Sequence, residues 1–491
     1  MTDKLLSYNP ITQEVVGTVP LTTDEELKDV LERSKKGEKI WSTLRVSDRA
    51  EILNGIRKNL VKKSDEFIST ISNETGKPYW DSFVEVMTVA EHLKYMCRHA
   101  PVILSREKRP TGILVHKRGY VQYFPHGTAG IISPWNYPLI LAISPVVEAL
   151  LAGNSVVLKP SEVTPITGDK IHRLFLDGGV HESVFQIIQG YGDIGSKLVE
   201  SPQSDIICFT GSVKVGKLIS EHCAKQLKPS ILELGGNDPM IILEDADIDR
   251  AVSAAIWGGL SNNGQTCIAV ERIYVMESIA DVFLELLKKR AKELNISDDK
   301  KSADIGSMIN QKQKETVISF IDEAKKEGAT FHLDYNQKTK DSSCFLYPTI
   351  IEEKNRKSKI MQSEIFGPVI TVFRVSSERE AISEANSSGY GLSASVFSKN
   401  LRKGREIAKQ IKAGSVCIND VNSNYGCASL PFGGVGISGI GRVRGEEGLK
   451  AFSRVQAVYE DRLGLKKEPW WFPVSDHTKK WFKRFFRYWY S

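Results

Sequence analysis

Cys267 lies in Asn262-Asn-Gly-Gln-Thr-Cys-Ile268, a polar, glycine-bearing turn behind the apolar helical stretch 251–260. A thiol attacks as the thiolate, so a nucleophilic cysteine needs an accessible, electropositive setting such as convergent backbone donors. The other six cysteines (Cys97, Cys208, Cys223, Cys344, Cys417, Cys427) fall mostly in apolar runs such as Ile206-Ile-Cys-Phe209 and read as core packing. Glu233 ends an apolar run just before Gly235 and Gly236. Partial desolvation there raises a carboxylate toward the range of a general base; a plain strand-end glutamate is the alternative. Asn136, in Ser133-Pro-Trp-Asn-Tyr-Pro138, is an amide held between two prolines. It suits donation to an oxyanion, or equally a turn.

A second group of motifs suits a nucleotide. Gly153-Asn-Ser-Val-Val-Leu-Lys-Pro-Ser-Glu162 is a glycine turn, a buried strand, then Lys159 and Glu162 at its carboxyl end, the edge where open α/β sheets bind ligands. Lys159 could donate to ribose hydroxyls. Glu162 could accept from a 2′-OH and repel a 2′-phosphate, which favours NAD over NADP. Phe209-Thr-Gly-Ser-Val-Lys-Val-Gly216 opens a helix and could aim backbone donors at a pyrophosphate. The GxGxxG spacing is absent. Glu364-Ile-Phe-Gly-Pro368 sets a carboxylate before a rigid turn, and residues 431–442 are dense in glycine around Phe432. The nine histidines show no ligand spacing, so no metal site is expected.

The elements that must position these residues follow from apolar periodicity. The first hundred residues read mostly helical. Thr23-Asp-Glu-Glu26 forms a capping box ahead of a stripe of Leu27, Val30, Leu31 and Ile40-Trp41, and 47–60 repeats the pattern. Short apolar runs at 129–132, 155–158, 185–188, 206–209 and 231–234 are spaced for strand–helix–strand crossovers, hence a parallel sheet. A second set at 272–275, 369–375, 394–397 and 415–419 predicts a second α/β unit. Residues 112–124 alternate as exposed strands do. Seven scattered cysteines without a CxxC pair argue against a disulfide framework. No signal peptide and no membrane-spanning apolar run is visible, so a cytoplasmic protein is expected.

Taken together, the motifs resemble the NAD(P)-dependent aldehyde dehydrogenase superfamily. Pro134-Trp-Asn-Tyr-Pro138, Lys159-Pro-Ser-Glu162, Phe209-Thr-Gly-Ser212, Glu233-Leu-Gly-Gly236, Gly264-Gln-Thr-Cys267, Glu364-Ile-Phe-Gly-Pro368 and Pro431-Phe-Gly-Gly434 occur in one order at compatible distances. The resemblance implies an α/β fold with a Rossmann-like parallel-sheet NAD-binding domain (1–102 and 124–235) and a second α/β catalytic domain (236–452). A small β oligomerisation flap (103–123 and 453–462) would make the protein a homodimer or tetramer. Carried over by position, Cys267 is the nucleophile, Glu233 the general base and Asn136 the oxyanion donor. Lys159 and Glu162 hold the adenosine ribose, Ser212 with Gly211 the pyrophosphate, and Glu364 the nicotinamide ribose, with Trp135 and Phe366 also at the cofactor. The implied reaction oxidises an aldehyde to the acid through a cysteine thiohemiacetal and a thioacyl enzyme, with NAD as cofactor. A CoA-acylating enzyme and a catalytically silent structural member are the alternatives; a water-activating Glu233 argues against the first, and intact Cys267, Glu233 and Asn136 against the second. One departure is Gly436, where the family often has lysine.

The chain's net charge of +6 resides wholly in residues 462–491, which hold eight basic and two acidic residues; the neutral remainder argues against nucleic-acid binding. Residues 463–491 form a tail beyond the family core, with ten aromatics. At about 100° per residue, Trp481, Phe482, Phe485, Phe486, Tyr488 and Trp489 share one helical face and the basic residues the other. Peripheral attachment to an anionic membrane surface is the favoured expectation, and lipid-derived aldehydes follow from it. An arm packed on a partner subunit and a gate over the substrate entrance are the alternatives.

Overall fold

The computed structural model describes residues 4–334 and 344–491. They form two compact units, Met1–Leu104 with Phe124–Arg454, and Ser105–Tyr123 with Val455–Ser491.

In the first unit the apolar runs become two sheets. The six-stranded sheet has the order Gly439–Ile440, Ser230–Glu233, Ile206–Thr210, Thr128–Ile132, Ser155–Lys159, Phe185–Ile187. Its strands run parallel except the first, which pairs antiparallel with Gly439 opposite Glu233. The seven-stranded sheet has the order Thr330–Leu333, Thr349–Glu352, Val369–Val375, Val270–Met276, Asp238–Ile242, Ser393–Phe397, Ser415–Ile418, antiparallel only at its first strand. Central strands such as Ser155–Lys159 and Asp238–Ile242 are buried throughout. Helices on both faces require this, and it is why these strands read as continuous apolar runs.

The capping box forms as expected. The Thr23 hydroxyl accepts from the Glu26 N–H at 3.2 Å, and the Glu26 carboxylate accepts from the Thr23 N–H at 2.8 Å. Leu27, Val30, Leu31 and Trp41 are buried, whereas Ile40 is 67% exposed and does not belong to the stripe. Other expectations also need correction. The chain opens not with helix but with a hairpin, Lys4–Tyr8 against Val15–Pro20. The exposed strand read over 112–124 begins only at Lys117, because a turn precedes it, with the Leu114 N–H bonded to the Thr111 carbonyl and the Lys117 N–H to that of Leu114. The strand Asp238–Ile242 was not among those expected, although it lies between two partners in its sheet. Cys427 is exposed rather than core.

In the second unit Glu107–Arg109 pairs antiparallel with Lys117–Pro125, and Ser453–Asp461 flanks them. The buried Glu468 receives the Lys117 ammonium and faces His116 Nε2 at 3.3 Å, while Lys117 also reaches Asp461 at 2.8 Å. His116, Asp461 and Glu468 thus gather three potential metal ligands around a cation that the chain itself supplies. Beyond this clasp the helix Asp476–Trp489 starts at Ser475, whose hydroxyl accepts from the Thr478 N–H. It buries no residue. Trp481, Phe485 and Trp489 stack in a row with ring centroids 5.5 Å apart. No helix among the described residues is long and apolar enough to cross a membrane.

Asn154 fastens the entrance to the six-stranded sheet. Its buried side chain accepts from the His126 and Gly127 N–H groups and donates to the Ala149 and Phe452 carbonyls. Asn154→Ala strands these partners and is expected to cost about 2–4 kcal/mol, read as a fall of several degrees in Tm; an unchanged Tm contradicts this.

Candidate active site

Cys267 follows the helix Ile248–Leu260 through the turn Ser261–Gly264. The turn places Asn262 and Asn263 in left-handed backbone conformations, φ 51° and 54°, which asparagine tolerates better than most residues. Side chains lock it in place. The Asn262 N–H donates to Asp81 Oδ2 at 3.1 Å, Gln265 Nε2 to the Asn262 carbonyl at 3.0 Å, and the Ile309 N–H to Gln265 Oε1 at 2.9 Å. On the other side the Cys267 carbonyl presses on Gly236, where a Cβ would stand 2.1 Å from that oxygen. Only glycine permits this approach.

Asn136 is buried. Its Nδ2 donates one hydrogen to the Gln265 carbonyl at 3.0 Å, which orients the amide, and the second has no acceptor among the described residues. Its own carbonyl accepts from Lys77 Nζ at 2.7 Å and Asn262 Nδ2 at 2.9 Å. Lys77 and Glu85 form a fully buried ion pair at 3.0 Å, and Glu85 also accepts the Leu139 and Ile140 N–H groups at 2.7 and 3.1 Å. The Asn136 and Cys267 loops are therefore tied together and anchored to the helix Tyr79–Ile103. None of Lys77, Asp81 and Glu85 was singled out from the sequence, and Gln265 entered only as part of the Cys267 motif; for Asp81 and Glu85 the only signal was charge on a helix that also carries apolar residues.

Glu233 ends its strand, fully buried, and its Oε1 has no hydrogen-bond partner among the described residues. Burial pushes its carboxyl well above the ordinary range, and the nearby Glu148 adds to this while Arg442 opposes it. The glycine-dense stretch is packed rather than loose: Phe432 is buried and Gly433 lies against the Glu233 carboxyl. Gly436, the departure from the family pattern, has φ +63°, and a Cβ there would lie 2.6 Å from the Gly389 carbonyl oxygen. This backbone excludes a lysine at that position.

The thiol's setting differs from the expectation. Burial pushes Cys267 well above the ordinary thiol range, and Glu233, Glu364 and Asp238 push the same way. Its neighbourhood is acidic, not electropositive, so it rests as a thiol. Burial raises these carboxyls as well, Glu364 to about 8 and Glu233 and Asp238 well above the ordinary range, which weakens their opposition.

Cys267, Glu233, Asn136, Trp135, Gly211, Ser212, Glu364 and Phe366 line one cavity of about 330 Å³. Glu364 Oε1 accepts the Gly236 N–H at 3.1 Å. The turn after it hangs on Glu271, pushed up to about 7 by burial, whose carboxyl accepts the Ile365 and Phe366 N–H groups. Phe366 meets Trp135 edge-on, centroids 5.5 Å apart. Lys159 and Glu162 stand outside this lining, at the end of the strand Ser155–Lys159, and bond to each other at 3.2 Å. The residues fit a dinucleotide: the 13-residue helix Val213–Lys225, capped by Ser212, begins at the cavity, and a helix start attracts phosphate. Next to Cys267 and Glu233 a narrow apolar space of about 10 Å³ is also bounded by Leu141, Pro145, Tyr425, Phe432 and Val443.

A parallel α/β scaffold thus gathers a half-buried cysteine, a buried carboxylate and a buried amide around one cavity, and comparison with known proteins gives the family. The aldehyde dehydrogenase family model matches residues 2–458. The chain is 34% identical over 490 residues to a 4,4'-diapolycopene aldehyde oxidase of Methylomonas sp, covering 99% of this chain and 91% of that protein. It is also 34% identical to a betaine aldehyde dehydrogenase of Vibrio vulnificus, covering 95% and 96%. Among solved structures, an NAD-dependent aldehyde dehydrogenase from Sinorhizobium meliloti superposes with TM-score 0.90 at 31% identity, over 96% of this chain and 93% of that one. An aldehyde dehydrogenase from Bacillus cereus in complex with NAD+ gives 0.89 at 31%, over 94% and 93%. The chain belongs to the aldehyde dehydrogenase family, enzymes that oxidise aldehydes.

Glu85→Gln removes half of the buried ion pair and leaves the Lys77 charge uncompensated. A loss of about 3–5 kcal/mol is expected, seen as a lower Tm and a lower kcat; unchanged values for both contradict the anchoring described.

Proposed function

We propose that this protein oxidises an aldehyde to its carboxylic acid with NAD, using Cys267 as nucleophile, Glu233 as base and Asn136 as oxyanion donor. The observation that supports it best is that all three line the same cavity as Trp135, Ser212, Glu364 and Phe366. The Cys267 thiol loses its proton to water, and the thiolate sulfur bonds to the aldehyde carbon. The resulting oxyanion accepts from the free Asn136 Nδ2 hydrogen and the Cys267 N–H. Bound NAD supplies the acceptor for the hydride that this carbon loses. With the carbonyl restored as a thioester, Glu233 takes a proton from water, the water oxygen bonds to the carbon and the Cys267 thiolate leaves. Lys159 and Glu162 hold the adenosine ribose, and the Glu162 carboxylate disfavours a 2′-phosphate. Gly211 and Ser212 receive the pyrophosphate and Glu364 the nicotinamide ribose, between Trp135 and Phe366.

The flap supports self-association as a homodimer or tetramer, and the tail supports peripheral attachment to an anionic membrane surface. The helix Asp476–Trp489 exposes Trp481 by 53% and Trp489 by 57% beside Lys479, Lys480, Lys483, Arg484 and Arg487, a pattern suited to the membrane interface. A lipophilic, lipid-derived aldehyde follows as substrate. The alignment with the 4,4'-diapolycopene aldehyde oxidase extends over 99% of the chain, and so through the tail, in keeping with this.

In a series of n-alkanals, kcat/KM is expected to rise with chain length and to favour NAD over NADP at least about tenfold; preference for the shortest aldehydes contradicts the substrate reading. Because burial raises the Glu233 pKa and only its ionised form accepts a proton, kcat rises with pH along a limb above the ordinary carboxylate value of about 4.3. A limb at or below that value removes Glu233 as base. Deleting residues 466–491 is expected to abolish cosedimentation with anionic liposomes while turnover of short aldehydes persists; undiminished cosedimentation ends the membrane reading.

A further inference from the structure

Behind the aldehyde side of the site lies a group of buried residues that the reaction does not use. Arg444 is wholly buried, and none of its three guanidinium nitrogens has a hydrogen-bond partner among the described residues. The guanidinium lies over the ring of Tyr425, 4.6 Å from its centroid. Tyr425 meets Phe432 edge-on at 4.7 Å, and both rings bound the narrow apolar space next to Cys267 and Glu233. An arginine stays protonated wherever it is placed, so a positive charge stands one ring away from the substrate's side of the nucleophile.

Among the described residues no carboxylate hydrogen-bonds to that guanidinium. Glu148 Oε1 accepts the Arg444 backbone N–H at 2.9 Å and faces His92 Nε2 at 3.4 Å, and its other oxygen has no partner among the described residues. Burial pushes Glu148 up to about 8 and His92 well down, so both are uncharged near neutrality. Burial likewise raises the Glu233 carboxyl well above the ordinary range. Arg442, on the next turn of chain, spends its guanidinium on the Gly434 and Gly441 carbonyls and adds a second positive charge near Glu233.

Quaternary ammonium groups are recognised by the negative faces of aromatic rings. Here a guanidinium already occupies a face of Tyr425, and a second cation brought into this water-poor space meets a like charge at short range. We propose that Arg444, acting through Tyr425, is a specificity-determining residue that admits uncharged aldehydes and rejects aldehydes with a cationic head group. This rests on Cys267 being the reacting atom. It also separates the chain from relatives named for betaine aldehyde, despite their similarity in sequence.

A pair of isosteric aldehydes isolates the charge: 3,3-dimethylbutanal and trimethylammonioacetaldehyde differ by a quaternary carbon against a quaternary nitrogen. The intact enzyme is expected to favour the uncharged one in kcat/KM by at least about tenfold. Arg444→Met collapses that ratio at least about threefold, and Arg444→Lys, which keeps the charge, retains it. A loss of packing alone would lower both substrates together and leave the ratio in place. Equal use of the two aldehydes by the intact enzyme, or an unchanged ratio in a folded Arg444→Met protein, overturns the proposal. Should that variant not fold, or neither aldehyde react, protection of Cys267 from iodoacetamide decides with the intact protein. 3,3-Dimethylbutan-1-ol should protect at concentrations where choline does not; equal protection overturns the proposal. Turnover of neither aldehyde with protection by the alcohol alone counts against the oxidation reading and leaves the charge discrimination standing.

Discussion

Burying the carboxyls of Glu233, Asp238 and Glu271 and half-burying Cys267 and Glu364 is the constraint around which this site is organised. Cys267, Glu233, Asp238, Glu271 and Glu364 are all pushed toward their uncharged forms, with burial the largest cause for each. An ionised carboxylate without partners would be costly in such a place. Where a carboxyl has a structural task the backbone meets it: Glu271 takes two N–H groups and Glu364 takes one. Glu233 and Asp238 each keep one oxygen without a partner among the described residues, and of the two only Glu233 lines the cavity, where it can exchange protons with a substrate or a water.

That economy shapes the surroundings. The Cys267 turn and Asn136 are held by hydrogen bonds to each other and by a buried lysine–glutamate pair, not by electrostatic attraction to the thiol. The strand carrying Glu233 is closed on its outer edge by Gly439–Ile440, so the glycine-dense segment from the far end of the sequence becomes a wall of the site. Buried groups with no charge partner recur once more at Arg444, on the side where the aldehyde would lie. The desolvation that keeps the nucleophile protonated is the same condition that makes a single unneutralised guanidinium effective there.

Much of this was legible in the sequence because local context carried it. Cys267 stands out as the cysteine in a polar turn, Glu233 as a carboxylate just before glycines, and Asn136 as an amide between prolines. The parallel sheets announce themselves as continuous apolar runs because both of their faces are covered. What escaped depends on distance along the chain. Lys77 meets Asn136 across 59 residues and Glu85 meets Leu139 across 54, and neither contact leaves a mark on local spacing. The opening hairpin was lost for the opposite reason, since five- and six-residue strands beside long helices give too short a pattern to register. The direction of the Cys267 shift was also hidden. A polar turn suggests donors, but the carboxyls that oppose ionisation arrive from three other segments.

The central claim, an acyl group carried on Cys267 and released by Glu233, is tested most directly in a Glu233→Gln protein mixed with aldehyde and NAD and examined by intact-protein mass spectrometry. The account predicts one rapid equivalent of NADH and a stable mass increase equal to the acyl group, located on the peptide containing Cys267. Steady turnover with no adduct, or an adduct on any other residue, would contradict it.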